Sequence, residues 1–105
     1  MQRTAILLTN DDGIDAPGLL AMHQAISEWI RMSGNEDRFD LTVVAPDRGR
    51  SECGHSVTTT RDLAVTELQS RWFAVDGTPV DCVRSAMTVL CPNASLLVAN
   101  TPHQQ

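Results

Sequence analysis

The sequence predicts an α/β fold built around a mainly parallel sheet. Residues 4–8 (TAILL) and 41–45 (LTVVA) are short apolar runs, and both are typical of strands buried on two faces. Residues 17–32, between these runs, carry apolar side chains at helical spacing. Strand, helix and strand in this order form a βαβ unit, in which the strands run parallel and the crossover is right-handed.

The predicted first helix has recognisable limits. Pro17 suits the first helical turn because its missing N–H is not needed there, and Gly34 is expected to end the helix. Residues 35–40 are mostly polar and predict a surface loop. The predicted apolar face of this helix consists of Leu19, Met22, Ile26, Trp29 and Ile30.

The second half of the chain predicts a pair of extended segments, a helix and a further strand. Residues 63–65 and 72–75 suit the extended pair, and residues 96–99 suit the strand. Between them, Thr78 and Asp81 have the spacing of a capping box, with a proline at the first helical position. The apolar stripe predicted for this second helix consists of Val80, Val83, Met87 and Leu90.

The composition is that of one ordinary globular domain. The chain has 105 residues, of which 42% are hydrophobic and 20% charged, so it is short for more than one domain. A net charge of −5 argues against a nucleic-acid polymer or a membrane surface as a partner. All eight basic residues are arginine, which excludes chemistry that requires lysine.

The cysteines and the N-terminus favour a cytoplasmic location. Three cysteines without Cys-x-x-Cys spacing are typical of reduced thiols, and Cys82 and Cys91 are expected to be small buried hydrophobes. No signal-peptide core is visible at the N-terminus, and no apolar stretch approaches the roughly 20 residues that span a bilayer.

Residues 9–13 (TNDDG) follow the first predicted strand directly and contain an adjacent carboxylate pair. Asp11 and Asp12 therefore lie at the carboxyl end of a strand in an α/β unit, where open parallel sheets bind ligands. A hard divalent cation between two carboxylates would offset their like charges. The alternative is a plain turn, because Asp caps its own backbone and Gly accepts a positive φ.

The polar loop after the second predicted strand is expected at the same edge, since the two strands are parallel. Arg48 and Arg50 are candidates to hold a phosphate, and Ser51 is a candidate oxygen ligand for a metal. The alternative for the arginines is solvated surface, and the alternative for Ser51 is a turn hydroxyl.

The three histidines have different prospects. His55 lies in this polar loop and is a candidate substrate contact. His23 lies in the first predicted helix and is expected to be partly buried. His103 lies in the C-terminal segment and is not assigned a role.

Three separate motifs match a known family in the same order. They are residues 7–13 (LLTNDDG) with 16–18 (APG), residues 44–48 (VAPDR) with 50–51 (RS) and 56–58 (SVT), and residues 77–83 (GTPVDCV). With these motifs the chain resembles the SurE family of metal-dependent nucleotidases.

The resemblance implies a Rossmann-like, three-layer α/β/α fold and the hydrolysis of nucleoside 5′/3′-monophosphates. It implies a divalent cation, Mg²⁺ or Mn²⁺, held by two Asp, one Ser and one Asn. On this sequence, Asp11 and Asp12 match the two acidic ligands and carry the catalytic role, and Ser51 matches the serine. The resemblance also implies that full-length members form homo-oligomers.

The end of the chain departs from the family pattern. The family places Ser-Gly-Ile-Asn after the strand that matches residues 96–98, whereas residues 99–105 here read ANTPHQQ. Asn100 lies two positions before the family's Asn, an offset of about 6–7 Å along one face of a strand. We therefore expect residues 1–105 to be the N-terminal part of a SurE-like domain, with an atypical tail at 99–105.

Two functions from different classes follow from these observations. The first is a metal-dependent nucleotidase, and the alternative is a non-catalytic truncated fragment with residual metal or phosphate binding, since the family is more than twice this long. A receiver-like signalling domain also has an acidic pair after its first strand, but it needs a lysine that is absent here. A haloacid-dehalogenase-type phosphatase needs Asp-x-Asp, which the pair does not supply.

Overall fold

The computed structural model describes residues 3–48, 63–90 and 93–100. Within these ranges the chain forms one mixed sheet and two α-helices, the second of which continues into a π-helical segment. The elements are β1 (Thr4–Asn10), α1 (Pro17–Met32), β2 (Phe39–Pro46), β3 (Val65–Gln69), β4 (Trp72–Val75), α2 (Pro79–Ser85), the π-helical segment (Ala86–Leu90) and β5 (Ala94–Asn100). The predicted βαβ unit is therefore confirmed, with strands longer than predicted.

The sheet has the order β3-β4-β2-β1-β5. β1 pairs in parallel with β2 and with β5, and β2 pairs in parallel with β4. Only β3, at one edge of the described sheet, runs antiparallel to its neighbour. The chain passes from β4 across β2 and β1 to β5, so the strand order reverses beside β1. This reversal is the feature of doubly wound folds that opens a ligand-binding crevice.

Each face of the sheet packs an apolar cluster against one helix. Along β1, Leu8 faces α1 and Leu7 faces α2, as strand alternation requires. The α1 cluster consists of Leu8, Ile14, Leu19, Val43, Ala45, Trp72 and Ala74. The α2 cluster consists of Leu7, Val44, Val75, Cys82 and Ala86. Helix, sheet and helix thus form the three layers that the resemblance implied.

The bounds of α1 match the prediction, but one residue of its predicted face is wrong. Gly34 takes a φ of +73° just beyond the helix, as expected of a glycine stop. Trp29 is 54% exposed, although it was assigned to the buried face. The buried line follows steps of three and four residues to Ile30; Trp29 is turned away from it and contacts the Phe39 ring at 5.5 Å.

The capping box at the start of α2 is confirmed, whereas its apolar stripe is not. The small residues Cys82 and Ala86 are fully buried against the sheet, while Met87 is 44% exposed and Val83 is half-buried. Small side chains let the helix approach the sheet closely, and the π-helical segment shifts the later residues. Of the predicted stripe, Leu90 packs against this cluster. Cys82 is buried as expected, and Cys91 lies outside the described residues.

Replacing Thr78 by alanine should lower the free energy of unfolding by about 1 kcal/mol. Its hydroxyl accepts a hydrogen bond from the Asp81 N–H at 3.1 Å, and Asp81 Oδ2 accepts one from the Thr78 N–H at 2.8 Å. Urea unfolding of the variant measures this loss. Thr78→Ser keeps the hydroxyl and should retain most of the stability; equal losses in both variants would contradict the capping role.

Lowering the pH should destabilise the fold through His23. The side chain is half-buried, lies 4.8 Å from the Trp72 ring between centroids, and its burial lowers the pKa of the imidazole. The unfolded chain therefore binds a proton more readily than the folded chain. The contribution of His23 to the free energy of unfolding is complete above the ordinary histidine pKa, and it is lost as the pH falls from that value through the lowered pKa of the folded chain. Thermal unfolding at about pH 7.5 and about pH 5.5 tests this. His23→Gln should show a smaller drop between these two conditions, and an equal drop would contradict the assignment.

Among the described residues, neither helix is long and apolar enough to cross a bilayer.

Candidate active site at the carboxyl edge of the sheet

Four parallel strands end at one edge of the sheet, here called the carboxyl edge. β1 ends at Asn10, β2 at Pro46, β4 at Val75 and β5 at Asn100. Two backbone hydrogen bonds tie the loops at this edge together. The Ile14 N–H donates to the Pro46 carbonyl at 2.7 Å, and the N–H of the residue after Pro46 donates to the Val75 carbonyl at 2.8 Å. The residue after the β1 turn and the ends of β2 and β4 are therefore held side by side, while residues 49–62 of the loop after β2 lie outside the described residues.

The turn after β1 is closed by Asn10 and not by an aspartate. Asn10 is 2% exposed; its Nδ2 donates to the Gly13 carbonyl at 2.8 Å, and its Oδ1 accepts from the Gly13 N–H at 3.3 Å. Gly13 takes a φ of +112°, as the turn interpretation expected. That interpretation is wrong about the capping group, because one amide side chain supplies both hydrogen bonds. The two carboxylates that follow are not needed to form the turn.

The carboxylate pair, Asp11 and Asp12, makes no hydrogen bond to any described residue. Asp12 is exposed, while Asp11 is half-buried and its Oδ1 is completely buried without a partner. A buried acceptor without a partner costs about 1–3 kcal/mol. Such an arrangement is unusual in a folded domain and calls for an explanation, of which a bound ion or water molecule is one kind.

The opposite edge of the sheet shows how an aspartate behaves in a structural role. Asp40, near the start of β2, is paired with Arg3 at 2.7 Å and Arg71 at 3.1 Å. The hydrogen bond from the Arg3 guanidinium lowers the pKa of the Asp40 carboxyl. The carboxylate pair has no such arginine partner among the described residues, so its charge is not offset by the described fold.

The donor set of the pair fits a hard divalent cation. Mg²⁺ is commonly bound through one or two carboxylates and completes its shell with water and substrate oxygens. The described residues contain no cluster of three or more His, Cys, Asp or Glu side chains that could enclose a metal. The described part of the site is therefore an open pair of carboxylates rather than a closed structural metal cage.

The structure places one of the predicted phosphate ligands at this edge. Arg48 directly follows the end of β2, is exposed, and forms no ion pair with a described residue. Arg50, Ser51 and His55 lie outside the described residues. Asn100, the last residue of β5, is paired with Asn10 in the sheet, so its backbone is at the carboxyl edge. It is in register with the β1 end although it belongs to the segment expected to be an atypical tail.

A separate groove runs beside α1 and does not carry the phosphate chemistry. It encloses about 230 Å³ and is lined by Ile14, Asp15, Leu20, Leu68, Gln69 and Trp72. This lining is mainly apolar and contains neither a guanidinium that could bind a phosphate nor a second carboxylate that could help hold a cation. The carboxyl edge remains the better candidate for a phosphate site.

Fold and edge together define a doubly wound α/β protein whose carboxylate pair has no partner among the described residues and lies at the edge where such folds bind ligands. The profile of the family described as Survival protein SurE matches residues 6–101. The chain therefore belongs to the SurE family.

Individual relatives agree with this assignment. The 5′-nucleotidase SurE of Pelobacter propionicus is 44% identical over 99 residues, which cover 93% of this chain and 36% of that protein. The 5′-nucleotidase SurE of Geobacter sulfurreducens is 45% identical over 95 residues, covering 90% of this chain and 33% of that protein. The crystal structure of the SurE protein from Aquifex aeolicus is similar with a TM-score of 0.76 and 34% identity, over 90% of this chain and 36% of that one. This chain thus spans about a third of the length of these relatives.

Sequence reasoning did not predict the arrangement of two residues beside the carboxylate pair, Asn10 and Thr9. Asn10 could have been found, because Asn readily closes a turn through its side-chain amide and precedes a glycine by three positions. Thr9 gave no such signal, since a β-branched residue at the end of a buried strand is ordinary. Only the structure reveals that its hydroxyl is buried and has no hydrogen-bond partner among the residues the structure describes.

Proposed function

We propose that this chain supplies the cation- and phosphate-binding edge of a metal-dependent phosphomonoesterase that hydrolyses nucleoside 5′/3′-monophosphates. The observation that carries the proposal is a carboxylate pair that has no partner in the described part of the chain, beside a turn that the Asn10 side chain closes. The names of the relatives support nucleoside monophosphates as the substrate class. The motifs matched by the resemblance support the role of the pair.

In this proposal Asp11 and Asp12 hold a divalent cation, Mg²⁺ or Mn²⁺, and Ser51 contributes a further oxygen. The cation would supply Lewis acidity and offset the charge of the phosphoryl group. The pair has a second role in the catalytic step. A carboxylate beside the phosphoryl group can orient the attacking water and accept its proton.

Arg48 is the described residue best placed to bind the phosphate. The residue lies two positions after the end of β2, at the edge that also carries the carboxylate pair, and its side chain is exposed. A guanidinium donates two parallel hydrogen bonds to phosphate oxygens and offsets their charge. Arg50 and His55 are proposed as further substrate contacts from the same loop.

The proposal extends to the protein's setting. We propose a cytoplasmic protein that acts on small nucleotides and not on nucleic-acid polymers or membranes, in line with its net charge of −5. We also propose that the whole protein, of which this chain matches about a third, forms homo-oligomers.

The alternative is a chain that binds cation and phosphate without catalysis. It is favoured by the fact that the aligned region covers only 36% of the Pelobacter relative. Binding and turnover must accordingly be measured separately.

Phosphate release from nucleoside 5′-monophosphates, with Mn²⁺ or with a chelator, tests the proposed function. Release that depends on the cation and is lost in Asp12→Asn is the expected result. Nucleotide binding that requires the cation, without any release, would favour the non-catalytic alternative. Release that is unaffected by the chelator would contradict the proposed metal dependence.

A further inference from the structure

Two buried oxygens at the end of β1 have no hydrogen-bond partner among the described residues, and only one of them belongs to the carboxylate pair. They are Asp11 Oδ1 and Thr9 Oγ1. Thr9 is 4% exposed, so its hydroxyl cannot obtain a hydrogen bond from bulk water. A buried hydroxyl normally has a partner, and leaving it without one is costly. The hydroxyl therefore calls for an explanation other than packing.

The surroundings of Thr9 offer apolar contacts. Strand alternation places Thr9 on the same face as Leu7, one step closer to the carboxyl edge, and Leu7 belongs to the apolar cluster under α2. The neighbouring position on β5 is Ala99, whose side chain has no polar atom. Valine has nearly the shape of threonine and would fill this position without an unsatisfied group.

The position of Asp11 explains why a hydroxyl is present at residue 9. It lies two residues after Thr9, so the two Cα atoms are at most about 7 Å apart. A carboxylate and a hydroxyl at this separation can be brought together by rotation of their side chains, directly or through one water molecule. A hydroxyl donates where a carboxylate accepts, so each oxygen can satisfy the other.

We propose that Thr9 is a positioning residue that donates a hydrogen bond to the Asp11 carboxylate when Asp11 binds a divalent cation. Groups that hydrogen-bond to metal ligands fix the ligand's orientation and strengthen its hold on the metal. The inference rests on the proposed cation site. In the cation-free chain the buried Thr9 hydroxyl lowers the free energy of unfolding because it has no hydrogen-bond partner. When the cation is bound, the hydrogen bond to Asp11 offsets this loss.

Thr9→Val distinguishes a positioning role from a structural one, because a positioning role predicts higher stability of the cation-free chain together with weaker cation binding. In the presence of chelator, the variant should unfold about 4 °C higher than the parent chain, because the unsatisfied hydroxyl is gone. By calorimetry with Mn²⁺ alone, its affinity for the cation should fall about tenfold. Thr9→Ser, which keeps the hydroxyl, should retain the affinity of the parent.

Thr42→Val is the matched control, since Thr42 is 6% exposed on β2 and lies opposite Leu7, away from the carboxyl edge. It should leave the Mn²⁺ affinity unchanged. Parent and Thr9→Val chains that bind Mn²⁺ equally would overturn the role of Thr9 while leaving the cation site intact. A parent chain that does not bind Mn²⁺ would overturn both the site and this inference. A Thr9→Val chain that loses stability as well as affinity would show a structural role instead.

Discussion

Gly77→Ala is expected to lower the free energy of unfolding by about 3 kcal/mol, because the added methyl group overlaps its neighbours. A Cβ at this position would lie 2.7 Å from Asp81 Oδ2 and 3.0 Å from Leu63 Cδ2. Asp81 is fully buried and its Oδ2 accepts the hydrogen bond from the Thr78 N–H, so it cannot move aside without breaking the capping box. The substitution therefore strains the start of α2 and the loop before it.

Gly34→Ala is the matched control for this effect. Gly34 has a φ of +73°, and no atom lies within 4 Å of an added Cβ. Its replacement costs only the left-handed backbone conformation, about 1 kcal/mol. Urea unfolding should rank Gly77→Ala well below Gly34→Ala in stability. The reverse order would show that the segment before α2 is not packed as described.

Asp12→Asn is expected to weaken Mn²⁺ binding by about 100-fold, because one of two charges that attract the cation is removed from an open site. The shape of the side chain is nearly unchanged, and no described residue hydrogen-bonds to the carboxylate, so stability should not fall. Asp15→Asn is the matched control, since Asp15 is an exposed carboxylate three residues further along. It should bind Mn²⁺ like the parent, and equal heats of binding from all three chains would exclude the pair as the site.

Local signals in the sequence predicted most of the described fold. The apolar runs at β1 and β2 and the helical spacing between them require a parallel βαβ unit, whatever the rest of the chain does. Thr78 and Asp81 predicted the start of α2 correctly because a capping box depends only on residues within one turn. The limits of α1 followed in the same way from Pro17 and from Gly34.

Tertiary packing decided the features that the sequence did not predict. Trp29 and Met87 are apolar and have the spacing of a buried helix face. Only one row of side chains on each helix packs against the sheet, and neither residue belongs to that row. Small residues such as Cys82 and Ala86 allow the closest approach, and periodicity alone does not distinguish them from larger apolar neighbours. The position of β5 beside β1 is likewise set by long-range pairing that no local pattern encodes.

The location of the site was predictable, whereas its internal arrangement was not. Parallel strands end at one edge, so the pair after β1 and Arg48 after β2 had to meet there. Which side chains of residues 9–13 form the turn, and which have no partner, could be seen only in the atomic structure. Asn10 closes the turn, while the Thr9 hydroxyl and the Asp11 carboxylate have no hydrogen-bond partner among the described residues.

The central claim is that the carboxylate pair holds a divalent cation at the carboxyl edge, and Mn²⁺ broadening of backbone amide NMR signals tests it most directly. Mn²⁺ at the pair should broaden the signals of Gly13, Ile14 and Asp47 first. Signals of Asp40 and Arg71, near the opposite edge and about 20 Å away along β2, should remain sharp at the same ratio of cation to protein. Uniform broadening of both groups, or broadening that begins at the opposite edge, would contradict the account.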